Sequence, residues 1–316
     1  MATTTSITTT YAGEFAGQYI SAALLEGSTI ASGGITVKPN IKLKEVIKKV
    51  STDGIVKDAT CDFSATSTLT LTEKILQPEE QQVNLQLCKK DFVSDWEAVQ
   101  MGFSAYHNLP PSFSDFLIAH VAAKVAQKTE NSIWTGDTSN NGEFNGLTTQ
   151  IALDADLPTG QEVAGTTVTS SNVIAQLGSI VDAIPAALYG SEDLFLYVSQ
   201  NIARAYVRAL GGFASGVGAA GTDSKGTQWF NNGALSFDGV KIFVANGLAN
   251  NTAIAAEKSN LFFGTGLLSD HNEVKVIDMA DLDGSQNVRV VMRFTAGVQY
   301  GIIDDIVTYG ITNSAN

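Results

Sequence analysis

The sequence predicts an α+β fold of two intertwined lobes, and three observations carry that expectation. With 316 residues the chain exceeds the usual single-domain size of about 100–150 residues. It is 44% hydrophobic and only 16% charged, which is ample material for a core and too little charge for a disordered chain. Its 29 glycines and six prolines punctuate Thr-, Val- and Ile-rich stretches, a texture of turns and strands, and only a few segments have helical spacing.

Residues 1–37 hold no Lys or Arg, are rich in Thr, Ser, Ala and Gly, and contain only short apolar pieces such as Tyr19-Ile20 and Leu24-Leu25. The segment reads as an arm, either disordered or laid along another surface, with one amphipathic turn around residues 15–25. Residues 38–92 change to alternating Thr, Val, Ile and Lys. Leu69 and Leu71, and again Val83, Leu85 and Leu87, place apolar side chains on one face, as in an antiparallel ribbon with one wet side. Lys38, Lys42, Lys44, Lys48, Lys49, Lys57, Lys74, Lys89 and Lys90 fall here, out of 19 basic residues in all. A two-stranded ribbon is marginal alone in water and needs a further surface, here expected on another subunit.

After the Pro110-Pro111 break the spacing predicts a helix over 112–134, capped by Ser112 with Asp115 at the capping-box position. Phe113, Phe116, Leu117, His120, Val121 and Val125 share one stripe, with Lys124, Lys128 and Glu130 elsewhere. Such a rod is roughly 33 Å long at about 1.5 Å per residue. The Gly- and Asn-rich stretch 136–147 reads as a turn region, and the polar stretch to Ser171 as loops with a possible hairpin. A second unit begins at Asn172, which caps a helix that Pro185 kinks or ends. Leu194–Val198 reads as a buried strand, followed by a helix capped by Ser199 and stopped by Gly211-Gly212. Asp238-Gly239 supplies the positive φ angles of a type I′ hairpin turn. Further strands are expected at 261–263, 274–277, 288–298 and 302–309.

The chemistry-bearing candidates are few. A net charge of -13 argues against gripping nucleic acid, which needs clustered cations. Cys61 and Cys88 have neither metal-site nor disulfide-framework spacing, in keeping with a reduced cytoplasm. No basic leader precedes the first apolar stretch and nowhere are there 18 consecutive apolar residues, so neither conventional secretion nor membrane spanning is expected. Gly216, Gly218 and Gly221 spell GxGxxG, but the pattern follows a helix where a dinucleotide site needs a strand, so it reads as a loop. Asp278, Asp281, Asp283 and Gly284 lack the regular ligand spacing and closing Glu of a calcium loop and read as a turn. His107, His120 and His271 form no metal pair, and His120 reads as a core or interface residue. No catalytic, cofactor-binding or metal residue is expected, and the chain is not expected to be an enzyme. The lysine-rich ribbon is expected to meet acidic surface on a neighbouring copy. The contact candidates are Lys42, Lys44, Lys48, Lys49, Lys57, Glu79, Glu80, Asp91 and Asp95, with Glu97 a further possible partner.

The order of arm, ribbon, long helix, Gly-containing turn, α/β lobe and returning strand resembles the major capsid proteins of tailed bacteriophages, the Hong Kong-type fold. The resemblance covers most of the chain. It rests on residues 50–92, similar to the family's E-loop, and on Glu130-Asn-Ser-Ile-Trp134-Thr-Gly-Asp137 with Phe144-Asn-Gly-Leu147, similar to the end of its spine helix. Residues 288–298 and 306–310 look like its closing strands.

The resemblance implies an N-terminal arm over 1–37 and an extended β-hairpin E-loop with its base over 38–92. It implies a peripheral (P) domain over 93–171 with spine helix 112–134, an axial (A) domain over 172–285, and a returning P-domain strand and A-domain tail over 286–316. It implies self-assembly into pentamers and hexamers of a shell around double-stranded DNA, without sequence-specific binding and without a membrane. Scaffold, portal and cement proteins are the implied partners, the virion capsid the implied location, and the host cytoplasm the site of assembly. Lysine–asparagine cross-linking, known in the founding member, is not carried over from Lys57, because no matching Asn and catalytic Glu are identified. The competing readings are a tail-tube or surface-layer subunit and an enzyme built on the 172–285 lobe.

Overall fold

The computed structural model describes residues 28–52, 54–59, 61, 65, 68–88, 111–210, 235–266 and 275–314. The chain opens with a helical turn, α1 (Ser28–Ala31), and the strand β1 (Thr36–Lys38), followed by β2 (Glu45–Thr52), β3 (Leu69–Leu76) and β4 (Glu79–Cys88). The long helix α2 (Pro111–Thr135) leads to α3 (Leu147–Ile151), the short strand β5 (Glu162–Val163) and α4 (Val173–Asp182). Next come β6 (Leu194–Val198), α5 (Gln200–Leu210), the hairpin β7 (Ser236–Phe237) and β8 (Val240–Val244), and then β9 (Ala253–Glu257). The chain closes with β10 (Leu261–Gly264), β11 (Lys275–Asp278), α6 (Ala280–Asp283), β12 (Asn287–Tyr300) and β13 (Val307–Tyr309).

Three sheets result. A five-stranded sheet is built around β12, whose 14 residues alternate so that Val288, Val290, Met292, Phe294, Ala296, Val298 and Tyr300 are all buried. This is the period of two that a half-buried strand imposes. β11 and β4 both pair antiparallel with residues 288–291, so they occupy opposite edges of β12. β10 pairs with residues 297–300 and carries β1 beside it in parallel. Helix α2 lays Leu117 and Val121 over Leu87, Val288 and Val290. The far end of α2 buries Ile133 and Trp134 among Phe144, Leu147, Ile151, Phe263 and Met292. Gly136 and Gly146 let the chain cross itself there, since a Cβ on Gly136 would lie 2.2 Å from the Phe144 carbonyl oxygen.

A six-stranded sheet in the order β5-β13-β9-β6-β8-β7 forms the second lobe, with α4 and α5 closing its core through Leu177, Ile180, Ile202 and Tyr206. The hairpin turn has the geometry its sequence demands, with φ of 45° at Asp238 and 81° at Gly239. The third sheet is the two-stranded ribbon β2–β3.

Several expectations are corrected. β3 pairs with β2, and β4 pairs with β12, so Leu69-Leu71 and Val83–Leu87 belong to different sheets. The last part of the expected arm is core: Thr29 and Ile35 are buried and β1 is a sheet strand. α2 starts at Pro111, the residue whose missing N–H costs nothing at a helix start, and Ser112 lies inside the helix. Asn172 does stand before α4, but its side chain accepts from the Thr169 amide and makes no cap bond. The stretch before it contains α3 and β5, not a hairpin. β10 and β11 join the five-stranded sheet, so the sheets do not divide at the 285 boundary. The expected strand over 302–309 starts only at Val307, after a helical turn at Ile303–Asp305. The GxGxxG segment, His107, His271, the Gly211-Gly212 stop, Asp91, Asp95 and Glu97 lie outside the described residues.

Candidate assembly surface

The ribbon's two faces differ in a way set by its register. Directly opposed residues share a face in an antiparallel pair. One face therefore carries Val46 with Ile75, Lys48 with Glu73, Val50 with Leu71 and Thr52 with Leu69. Its apolar members are open to solvent, Val50 at 58%, Leu69 at 63% and Leu71 at 65%. Toward the tip Ile55 and Val56 are exposed as well. Nothing in the ribbon's own subunit covers this stripe among the described residues.

The other face is tied down at its root. Lys49 bridges to Asp304 and Lys74 to Asp154. Lys74 Nζ also lies 5.0 Å from the centre of the Tyr300 ring, and Tyr300 Oη donates to Asp154 at 2.6 Å. Gln299 Nε2 donates to the Ile75 carbonyl at 3.1 Å. Burial pushes the Asp154 carboxyl up, but the hydrogen bonds from Lys74 and Tyr300 outweigh it and hold the group below the usual aspartate range. Asp305 goes the other way, raised by burial and then by Glu257 and Asp304, with Lys49 as the opposing cation. The ribbon is thus anchored by two lysines on the body side and bare on the outer side.

The expected contact residues divide accordingly. Lys42, Lys44, Lys48 and Lys57 are exposed, Lys48 beside Glu73 on the bare face. Lys49 is bound within its own chain. Glu79 and Glu80 are on β4, opposite Ala296 and Thr295, at the ribbon's base. Sequence reading missed Asp154, Tyr300 and Asp304 as the ribbon's anchors, since nothing local marks residues 80 or more positions away as partners. It found the apolar stripe only in part: the alternation in Leu69 and Leu71 was legible, whereas Val46 and Val50 sit in a Lys-rich run.

No group of three or more His, Cys, Asp or Glu side chains among the described residues could hold a metal ion. Asp278 and Asp283 cap local turns, accepting from the amides of Ala280 and Ser285. His120 lines a groove between α2 and β4 with Val121, Lys124 and Val125. No described helix is long and apolar enough to cross a membrane.

Comparison with family models and with curated protein sequences returns no match. Solved structures do match over nearly the whole chain, and those compared are capsids. The capsid of an empty GTA particle superposes with a TM-score of 0.58 at 12% identity, covering 93% of this chain and 92% of that one. The capsid of cyanophage P-SCSP1u gives 0.57 at 15% identity over 95% and 92%. The capsid of Myoviridae phage XM1 gives 0.57 at 13% identity over 92% and 94%. The chain therefore has the mixed α+β fold of phage capsid subunits.

Proposed function

We propose that this chain is the major capsid protein of a tailed bacteriophage, a structural subunit that builds a closed shell by self-assembly and performs no catalysis. The observation that carries the reading is the outer ribbon face, where Val46, Val50, Leu69, Leu71 and Ile75 stand in water on an element anchored from the opposite side. Covering a half-exposed Val or Leu contributes about 1 kcal/mol, half or less of its full burial value. Such contacts are weak singly and strong when each subunit makes them with several neighbours. The likeness to capsids over more than nine-tenths of the chain supports the same reading.

In this proposal the ribbon β2–β3 is the E-loop and α2 the spine helix. The five-stranded sheet belongs to the P domain and the six-stranded sheet to the A domain. Lys42, Lys44, Lys48 and Lys57, with Glu79 and Glu80, rim the subunit contact. The partners are further copies in pentamers and hexamers, with scaffold, portal and cement proteins completing the particle. DNA is enclosed and not read. Assembly takes place in the host cytoplasm.

The test is electron microscopy and light scattering of the purified protein across concentration and salt, alone and with its scaffold. Shells, sheets or capsomers are expected. A strict monomer under every condition would sink the proposal.

A further inference from the structure

Glu130 is a carboxylate in a place where a charge is costly. It is 1% exposed, on the second-last turn of α2, and it faces the segment that precedes β1. Thr29, itself fully buried, gives it two donors: the amide reaches Oε2 at 3.0 Å and the hydroxyl reaches Oε1. Trp134, the largest fully buried side chain, donates from Nε1 to the same Thr29 Oγ at 2.9 Å. The Gly247 amide, from the loop after β8, also supports the carboxylate. A few residues on, Tyr197 of β6 donates its hydroxyl to the Gly34 carbonyl, and its ring stacks on Trp134 at 5.1 Å. One carboxyl group thus joins three parts of the fold: the 28–38 segment, the long helix and the second lobe.

Among the described residues no cation balances it. On its own helix Lys124 and Lys128 turn toward the β4 groove, and Lys128 pairs with Glu143. Residues 28–31 bring no titratable group. Lys258, the lysine beside this segment, sits against Gly33. β6 offers Tyr197, whose phenol burial pushes up and keeps neutral. Neutral donors offset part of the desolvation cost of a buried carboxylate, and with no cation beside it the remainder still disfavours the charge.

We propose that Glu130 is a proton-operated joint, locking the 28–38 segment, the long helix and the second lobe together when it is neutral and easing that contact when it is ionised. Protonated, the carboxyl donates to Thr29 Oγ1 while its other oxygen still accepts from the Thr29 amide, so the bonds persist without the charge. Burial raises the group above the ordinary glutamate value despite the bonds from Thr29, Trp134 and Gly247. A raised folded-state value gives stability that is complete below the unfolded value and is lost as pH rises through the folded one. The joint is therefore tighter in mild acid. The inference stands apart from the capsid reading, since it concerns a contact inside one subunit.

The test is amide hydrogen exchange on the full-length protein at about pH 5 and about pH 8, corrected for intrinsic exchange, reading residues 29–35 against α4 as control. Wild type should be better protected at the lower pH, by up to about tenfold for each unit between the folded and unfolded values. Glu130→Gln should lose that dependence and match the low-pH wild type throughout. Flat wild-type protection, or a slope that survives Glu130→Gln, would each overturn the joint.

Discussion

Single side chains decide how the two lobes meet. Gly247 illustrates it, because a Cβ there would fall 2.2 Å from the Glu130 carbonyl oxygen, a backbone atom that cannot step aside. Gly247→Ala should cost about 1–3 kcal/mol as overpacking, read as a lower melting temperature with unchanged secondary structure. Asp154 makes a prediction in pH. Its carboxyl is held low, so its stabilising effect is present above the ordinary aspartate value and is lost as pH falls through the folded one. The difference in melting temperature between wild type and Asp154→Asn should be constant near neutrality and shrink below about pH 4. A difference that stays level into acid would assign Asp154 a packing role only. Neither residue was legible in the sequence. Gly247 is one of 29 glycines, and Asp154 stands in a polar stretch whose partners Lys74 and Tyr300 are far away along the chain.

At the level of elements, the ribbon is separable and the β4–β12 pair is not. Val50→Glu with Leu71→Glu places two charges on the bare face, where surface substitutions usually change stability by about 0.5 kcal/mol or less. The double variant should melt like wild type and fail to assemble by light scattering; normal assembly would remove the outer face from the subunit contact. Deleting residues 52–72 should likewise leave α2 and the second lobe folded by circular dichroism, since among the described residues β2 and β3 pair only with each other. Helix α2 and the Asp238-Gly239 hairpin were readable because helical spacing and turn chemistry are local. The partner of β3 was not. Leu69-Leu71 and Val83–Leu87 have the same period of two, and alternation says which face is apolar without saying which strand lies alongside. The opening strand β1 was hidden for a related reason, since three residues of Thr-Val-Lys gain their meaning only from β10, more than 220 positions later.

For the whole molecule, the composition and the fold lead to one further expectation. With 32 acidic against 19 basic residues, and with Lys49 and Lys74 bound internally, few cations remain to face phosphates. The soluble protein should bind duplex DNA no more tightly than about 10⁻⁴ to 10⁻⁶ M at physiological salt in a mobility-shift titration. Sub-micromolar, steeply salt-dependent binding would turn the lysine ribbon toward nucleic acid instead of toward a neighbour. By itself the sequence determined the α+β class and the order of ribbon, long helix and second lobe. Those follow from composition, periodicity and turn residues, which act within a few positions of each other. The tertiary structure alone decided which strands share a sheet, which lysines are anchors and which stay exposed, and that Glu130 is buried among neutral donors. Each of those depends on groups brought together across tens to hundreds of residues, where burial and hydrogen bonding, and not local pattern, choose the partner.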